Sequence, residues 1–434
     1  MRLHDFVCIG AVAARAASAA TDDVLRFGPP ESVGMDPKAL EGMISNLTAF
    51  TEARNWGEPT DNRVLPIEPG GVTLVARHGV IVSHFAFGKR TLWAGVNGTR
   101  GVELPESEQE DAIVDTIYDA ASLTKMYTTV AALRCIDKGL FTLNGTVATW
   151  LPEFGVNGKE NITVLQLLTH TSGFPASPSP LLYLPTFPTY ESRIDAILSH
   201  ELHNDPGEVY VYSDLSYMSL MLLIEKVTEK PLDKAIGEIT DQLGMKDTFF
   251  NKGNKEGGFE RYERIAPTEF QRTVVGDLTP DRPQPCKTVH DEQAWSLNGV
   301  SGHAGLFTTV LDTAHLCEMI RRNGTYNGHR ILSQESVDAI FTNWNARFGP
   351  GPGRGAGFEL NQTSTAGPMA SERTASHTGF TGTSMVIDRA TETIFLHFAN
   401  RVHPSREWSS NSIVRQTLGA WVAKSLGRDV LFPR

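Results

Sequence analysis

The 434-residue chain is 40% apolar and 21% charged with 39 Gly and 24 Pro, the composition of a globular enzyme and not of a disordered or fibrous chain. Its formal charge of −11, with no run of Lys and Arg, argues against nucleic acid or an anionic lipid surface as a partner. No stretch reaches the roughly 18 to 20 uninterrupted apolar residues of a membrane-spanning helix, and the length predicts two lobes that share one site.

Residues 1–20 carry Arg2, an apolar stretch from Phe6 to Ala14 and the small residues Ala17, Ser18 and Ala19, which predicts a secretory signal peptide interrupted by Asp5 and Arg15. Asn-x-Thr sequons at Asn46, Asn97, Asn144, Asn161, Asn323 and Asn361 exceed the roughly two or three that chance would place, so a secreted, N-glycosylated protein is expected. Cys8 would leave with the signal. Cys135, Cys286 and Cys317 have no metal-site spacing and allow at most one disulfide, with Cys135 and Cys317 reading as buried thiols within helices.

Two β-branched runs between Gly71 and Gly88, joined at Arg77-His78-Gly79, predict a hairpin, and Ser384 to Phe398 predicts a second with its turn at Asp388 to Thr391. Apolar residues three and four apart predict helices at Thr124–Ile136, Val164–Leu168, Ser192–Leu202, Ser216–Thr228, Ala314–Arg322 and Ser409–Ser425. The Pro-rich Pro175–Pro188 and the Gly-rich Gly349–Gly357 read as surface loops. Together these predict an α/β lobe built from residues 21–130 and 300–434, with a helical lobe at 131–299.

In Ser122-Leu-Thr-Lys125, at the head of an apolar helix, residues three apart share a face and bring a hydroxyl beside an amine. A serine hydroxyl needs a base, and a lysine whose pKa is brought from ~10.4 to near 7, at about 4 kcal/mol, would serve. Tyr212-Ser213-Asp214 precedes another apolar helix. His377-Thr378-Gly379-Phe380 ends a strand in which glycine would permit close approach by a substrate. No Gly-x-Ser-x-Gly elbow, phosphate loop or dinucleotide fingerprint occurs.

In order and spacing these three elements resemble the serine hydrolases that include class C β-lactamases, penicillin-binding D-alanyl-D-alanine carboxypeptidases, muramyl-peptide amidases and related esterases. Leu167 to Gly173, Val289 to Glu292 and Gly299 to Phe307 add to the resemblance, which spans residues 30 to 425. It implies an α/β (α+β) fold of the β-lactamase type, an antiparallel sheet flanked by helices plus an all-helical lobe, with neither cofactor nor metal. It further implies Ser122 as nucleophile, Lys125 as base, Tyr212 as the group that protonates the leaving group, and the N–H groups of Ser122 and Phe380 as the oxyanion hole.

Two departures bear on the substrate. His377-Thr378-Gly379 stands where many relatives have Lys-Thr-Gly, and Asp214 replaces an Asn, so a permanent cation for a substrate carboxylate is missing and a negative charge is added. His377 would therefore bind anions better as pH falls through about 6.5, and efficient β-lactam turnover is not expected. His170, His303 and the His290-Asp291-Glu292 run read as loop ties and not as metal ligands. The substrate is a small or peptide-like molecule. Hydrolysis of a peptide-type amide, ester hydrolysis, acyl transfer to a small metabolite and a catalytically silent sensor all stay open.

Overall fold

The computed structural model describes residues 24–57, 64–98, 100–251, 259–272, 285–349, 351 and 353–433. The expected signal segment and Cys8 lie outside these residues.

Both predicted hairpins form, and they pair with each other across the middle of an eight-stranded sheet. The strand order is Arg26–Phe27, Val80–Thr91, Gly70–Arg77, Thr393–Ala399, Ser384–Asp388, Thr374–Thr378, Glu359–Leu360, with Glu110–Asp111 on the Val80–Thr91 strand. All pairings are antiparallel except that of the short Arg26–Phe27 edge. At the first hairpin His78 (φ 50°) and Gly79 (φ 79°) are both left-handed, the two-residue turn whose twist matches that of its strands.

Alternation along the strands divides the apolar core. Val72, Leu74, Ala76, Ile394, Leu396 and Phe398 face one large cluster, which continues without a break into the helical half. Val75, Val386 and Phe395 face a smaller cluster beneath the Pro37–Ala49 and Ser412–Ser425 helices. The sheet is thus covered by helices on both faces. The Thr124–Asp137 and Asp214–Thr228 helices pass through the large cluster with every residue from Thr124 to Leu133 and from Leu215 to Ile224 buried, so they are core helices and not amphipathic surface ones.

Most predicted helices appear within a few residues of their expected ends: Thr124–Asp137, Val164–Leu168, Asp214–Thr228, Val310–Arg321 and Ser412–Ser425. The helix predicted at Ser192–Leu202 runs Tyr190–Leu198, earlier than predicted, because Thr189 forms a reciprocal capping box with Ser192 that starts the helix ahead of its apolar pattern. Cys135, Cys286 and Cys317 are buried free thiols. Among the described residues no helix is long and apolar enough to cross a membrane.

His403, 1% exposed, ties the strand end to the rim. Its Nδ1–H donates to the Thr268 carbonyl at 2.9 Å, and its Nε2 accepts from the Leu92 and Trp93 N–H groups. Nε2 cannot accept once protonated, and burial lowers the pKa to about 4. The folded state thus refuses a proton that the unfolded chain takes below about pH 6.5, so stability falls as pH drops from there to about 4 and levels off below. Chemical denaturation should show a loss of up to ~3 kcal/mol over that window in the wild type, largely absent from His403→Gln.

Candidate active site

The nucleophile turn is built around a strained residue. Ala121, immediately before Ser122, has φ 46°, which a residue with a side chain adopts only when its surroundings hold it there. Buried Asp119 does so: one carboxylate oxygen accepts the Ala121 N–H at 2.8 Å and the other accepts the His290 N–H at 2.7 Å. Thr381 and Thr383 donate to the carbonyls of Asp119 and Ala120, fastening the end of the Thr374–Thr378 strand to the same turn. A Cβ on Gly379 would lie 2.0 Å from Thr383 Oγ1 and 2.5 Å from the Ala120 carbonyl. The glycine therefore serves an approach of protein to protein, not the approach of substrate expected from the sequence.

Lys125 is fully buried, and its Nζ reaches Ser122 Oγ at 3.1 Å, Asp214 Oδ1 at 2.8 Å and the His303 carbonyl at 3.3 Å. Three acceptors match the three protons of an ammonium. Burial alone would lower the lysine pKa, but Asp214, with Tyr212 beside it, raises it above the ordinary value. This corrects the expectation of a lysine brought down to near 7: at rest Lys125 is charged and paired.

The Tyr212 hydroxyl lies within hydrogen-bonding reach of both Ser122 and Lys125, and burial raises its pKa while Lys125 opposes the rise, so it rests as a phenol. Its ring packs on His170, with centroids 4.5 Å apart. His170 accepts the Ser213 N–H on Nδ1, and burial followed by the charges of Arg354 and Lys125 holds it well below its usual pKa. It is a neutral platform that sets the angle of the tyrosine. The N–H groups of Ser122 and Phe380 have no hydrogen-bond partner among the described residues, as an oxyanion hole requires before substrate arrives.

His377 does not become the expected cation. It is 1% exposed, its Nδ1–H donates to the Thr378 carbonyl at 2.8 Å, and burial together with Arg354 and Lys125 holds its pKa well below 6.5. The expected gain of anion affinity through about pH 6.5 does not follow, because the charge it needs is opposed by burial and repelled by two fixed cations.

Sequence reasoning missed the arginines of the site. Ser122, Tyr212, Thr378 and Phe380 open on a cavity of about 420 Å³ whose walls also hold Arg354, Arg401 and Arg415. Arg354 comes from Gly349–Gly357, read as a surface loop. Residues 353–358 are instead buried, since a Cβ on Gly355 would meet the Ile340 carbonyl at 1.7 Å and one on Gly357 would meet Thr129 at 2.1 Å. The glycines let bare backbone slip between helices and deliver an arginine. Arg354 donates to Tyr210 and Glu359 and stands 5.5 Å from the Tyr212 ring centroid, while its Nη1 has no partner. Arg415 donates to the Gly379 and Thr383 carbonyls and leaves Nε unpartnered, and burial lowers the pKa of both Arg401 and Arg415 to about 10, still charged at neutral pH. Glu359 is the one carboxylate on the cavity wall among the described residues.

Asp214, Asp291 and His303 place ligand-type atoms within 4.8 Å of one another. Lys125 already donates to Asp214, and Asp291 accepts from His303 Nε2 at 2.9 Å, so the cluster has cationic and N–H partners supplied by the chain.

A serine beside a buried lysine and a tyrosine defines a serine hydrolase. The comparisons agree: the Beta-lactamase family profile matches residues 66–418, and the chain belongs to that family. Relatives named "Putative D-alanyl-D-alanine carboxypeptidase" include one from Escherichia coli (strain K12), 30% identical over 403 residues, which covers 89% of this chain and 88% of the relative. Another, from Salmonella enteritidis PT4, is 34% identical over 412 residues with 88% and 87% covered. Among solved structures, an octameric penicillin-binding protein homologue from Pyrococcus abyssi superposes with TM-score 0.64 at 22% identity over 91% of this chain and 78% of that one. EstCE1, described as a hydrolase with promiscuous acyltransferase activity, gives 0.63 at 19% identity over 90% and 98%. At those identities the structures share the fold.

Lys125 must be neutral to accept the serine proton, and Asp214 stabilises its charge. For an uncharged substrate kcat/KM should therefore keep rising with pH across about pH 6 to 9, and Asp214→Asn should move that rise to lower pH. A pH–rate profile of the two proteins, with ester hydrolysis as readout, checks the direction.

Proposed function

We propose that this serine hydrolase cleaves an amide of a small peptide-like substrate through an acyl-enzyme on Ser122, and that the departing amine carries a carboxylate. The observation that supports the reading is the cavity beside Tyr212, where three guanidiniums face one carboxylate. The group that protonates a leaving group must touch it. With Tyr212 in that role, the leaving group lies in the arginine-lined cavity, and its negative charge would be answered by the guanidiniums of Arg354, Arg401 and Arg415. The absence of a Lys before Thr378-Gly379 by itself argues for an ester over an amide with a free carboxylate. Arg354 and Arg415 remove that preference by supplying positive charge from other elements.

In this reading Ser122 attacks the carbonyl as its proton passes to Lys125 in its neutral form, the fraction that has lost its extra proton to solvent and that grows as pH rises. The Ser122 and Phe380 N–H groups hold the oxyanion, and Tyr212 protonates the departing nitrogen. Water then resolves the acyl-enzyme with the roles reversed. Ser122→Ala should abolish turnover of both amide and activated ester. Arg354→Met should raise KM about ten- to a hundredfold for an acyl-alanine, but leave the carboxamide of the same substrate and a p-nitrophenyl ester within about twofold. Loss against all three would instead mark Arg354 as structural.

Secretion with N-glycosylation is proposed on the sequons. Asn97, Asn144, Asn161, Asn323 and Asn361 are exposed at turns or element ends, whereas the Asn46 amide oxygen accepts from Trp421 Nε1 on the last helix. Expression through a eukaryotic secretory pathway followed by endoglycosidase treatment should lower the mass at the first five sites and leave Asn46 unmodified.

A further inference from the structure

Ser122 and Phe380 also border a second, smaller cavity, of about 170 Å³, on the other side of the nucleophile from Arg354. We infer that this cavity is the acyl subsite and that it takes a small aminoacyl group whose free ammonium pairs with Asp291. The inference rests on the amide-hydrolase reading for its direction: with the leaving group beside Tyr212, the acyl group must occupy the opposite side.

Size and charge define the occupant. Ala121 and Ala304 contribute little bulk, and the stacked rings of His290 and Phe380 close one wall, so the space suits a single residue and not a long chain. In charge this cavity is the inverse of its neighbour, with Asp291 and Glu292 against Arg406. The Glu292 charge already has a permanent cation, its Oε1 accepting from Arg406 at 2.6 Å and from Gln271 at 3.2 Å. Asp291 forms no such pair with an Arg or Lys among the described residues. Both its hydrogen bonds, from the Ala294 N–H and His303 Nε2, fall on Oδ1, which leaves Oδ2 without a partner among the described residues.

Asp291 is also held in place. It caps the Glu292–Ser296 helix through Ala294 and is pinned by the buried His303 ring, while its own side chain is 31% exposed. Burial disfavours its charge, but His303 and the Ala294 N–H outweigh that and hold the carboxyl well below the usual range, so it is ionised. The Lys125 charge adds to this without a hydrogen bond to Asp291, since its Nζ donates to Ser122, Asp214 and the His303 carbonyl. Asp291 and Ser122 line the same small cavity, so an acyl group on the serine that carries an α-ammonium would share that space with a fixed anion. Joined to the arginine-lined cavity, this describes a substrate of dipeptide size, ammonium at one end and carboxylate at the other.

The test compares two p-nitroanilides of equal shape, alanyl and isobutyryl, in which only the ammonium is exchanged for a methyl group. The expected result is a preference of about tenfold or more in kcat/KM for one alanine enantiomer, carried mainly by KM. In Asp291→Asn, whose amide keeps the helix cap, the preference should shrink to within about twofold while isobutyryl turnover persists. Equal rates in the wild type, or a preference that survives Asp291→Asn, would overturn the inference, and the wild-type ratio decides alone if the variant does not fold. Thioesters with the same acyl groups separate the two readings. Inert anilides beside active thioesters count against the amide reading only, equal thioester rates count against Asp291, and inert thioesters overturn both.

Discussion

A buried lysine ammonium shared by three acceptors is the point on which this structure turns. Isolated in the core, the Lys125 charge would cost several kcal/mol. Ser122 Oγ, the Asp214 carboxylate and the His303 carbonyl offset that cost, and they come from three segments far apart in sequence. Satisfying one cation therefore fixes the nucleophile helix, the start of the Asp214–Thr228 helix and the Gly299–Phe307 segment relative to one another. Gly302 shows how tight the fit is, since a Cβ there would lie 2.0 Å from the Tyr217 carbonyl. The same pairing keeps the base protonated, so the interaction that orders the site also restrains its reactivity.

Around that ammonium the cleft is electrically polar. Guanidiniums outnumber carboxylates on the Tyr212 side, and carboxylates outnumber the guanidinium on the His290 side, with Ser122 and Phe380 common to both. Phe380 is half exposed, and its ring lies 4.5 Å from the Arg401 guanidinium and 5.6 Å from the His290 ring, so one residue partitions the two cavities. Such a field aligns a zwitterionic ligand before any specific contact forms.

The residues that hold the machinery in place carry no motif. Asp119 constrains Ala121 through one oxygen and His290 through the other, coupling the nucleophile turn to the floor of the small cavity. His170 contributes a ring face and one nitrogen lone pair to orient Tyr212 and Ser213. Neither does chemistry in the sense that Ser122 does. Their sequence neighbourhoods were nonetheless visible, as Tyr118-Asp-Ala-Ala-Ser and Leu-Leu-Thr-His-Thr-Ser-Gly.

Local pattern alone determined a good deal: both hairpins, the positions of the principal helices, and the Ser122 and Lys125 pair, because strand alternation, helical periodicity and i to i+3 spacing are short-range properties of the chain, whereas Tyr212 entered through the family resemblance. It left the protonation state of Lys125, the silence of His377 and the arrival of Arg354 to the tertiary structure. Each of these depends on charges brought together from distant segments and on how deeply they are buried, and neither Coulomb interaction nor desolvation can be read from neighbours in sequence. The Gly349–Gly357 run shows the difference most plainly. Glycines that signal a loop by composition were needed for backbone to pass within contact of Ile340 and Thr129, and only the packed structure shows that the loop goes inward.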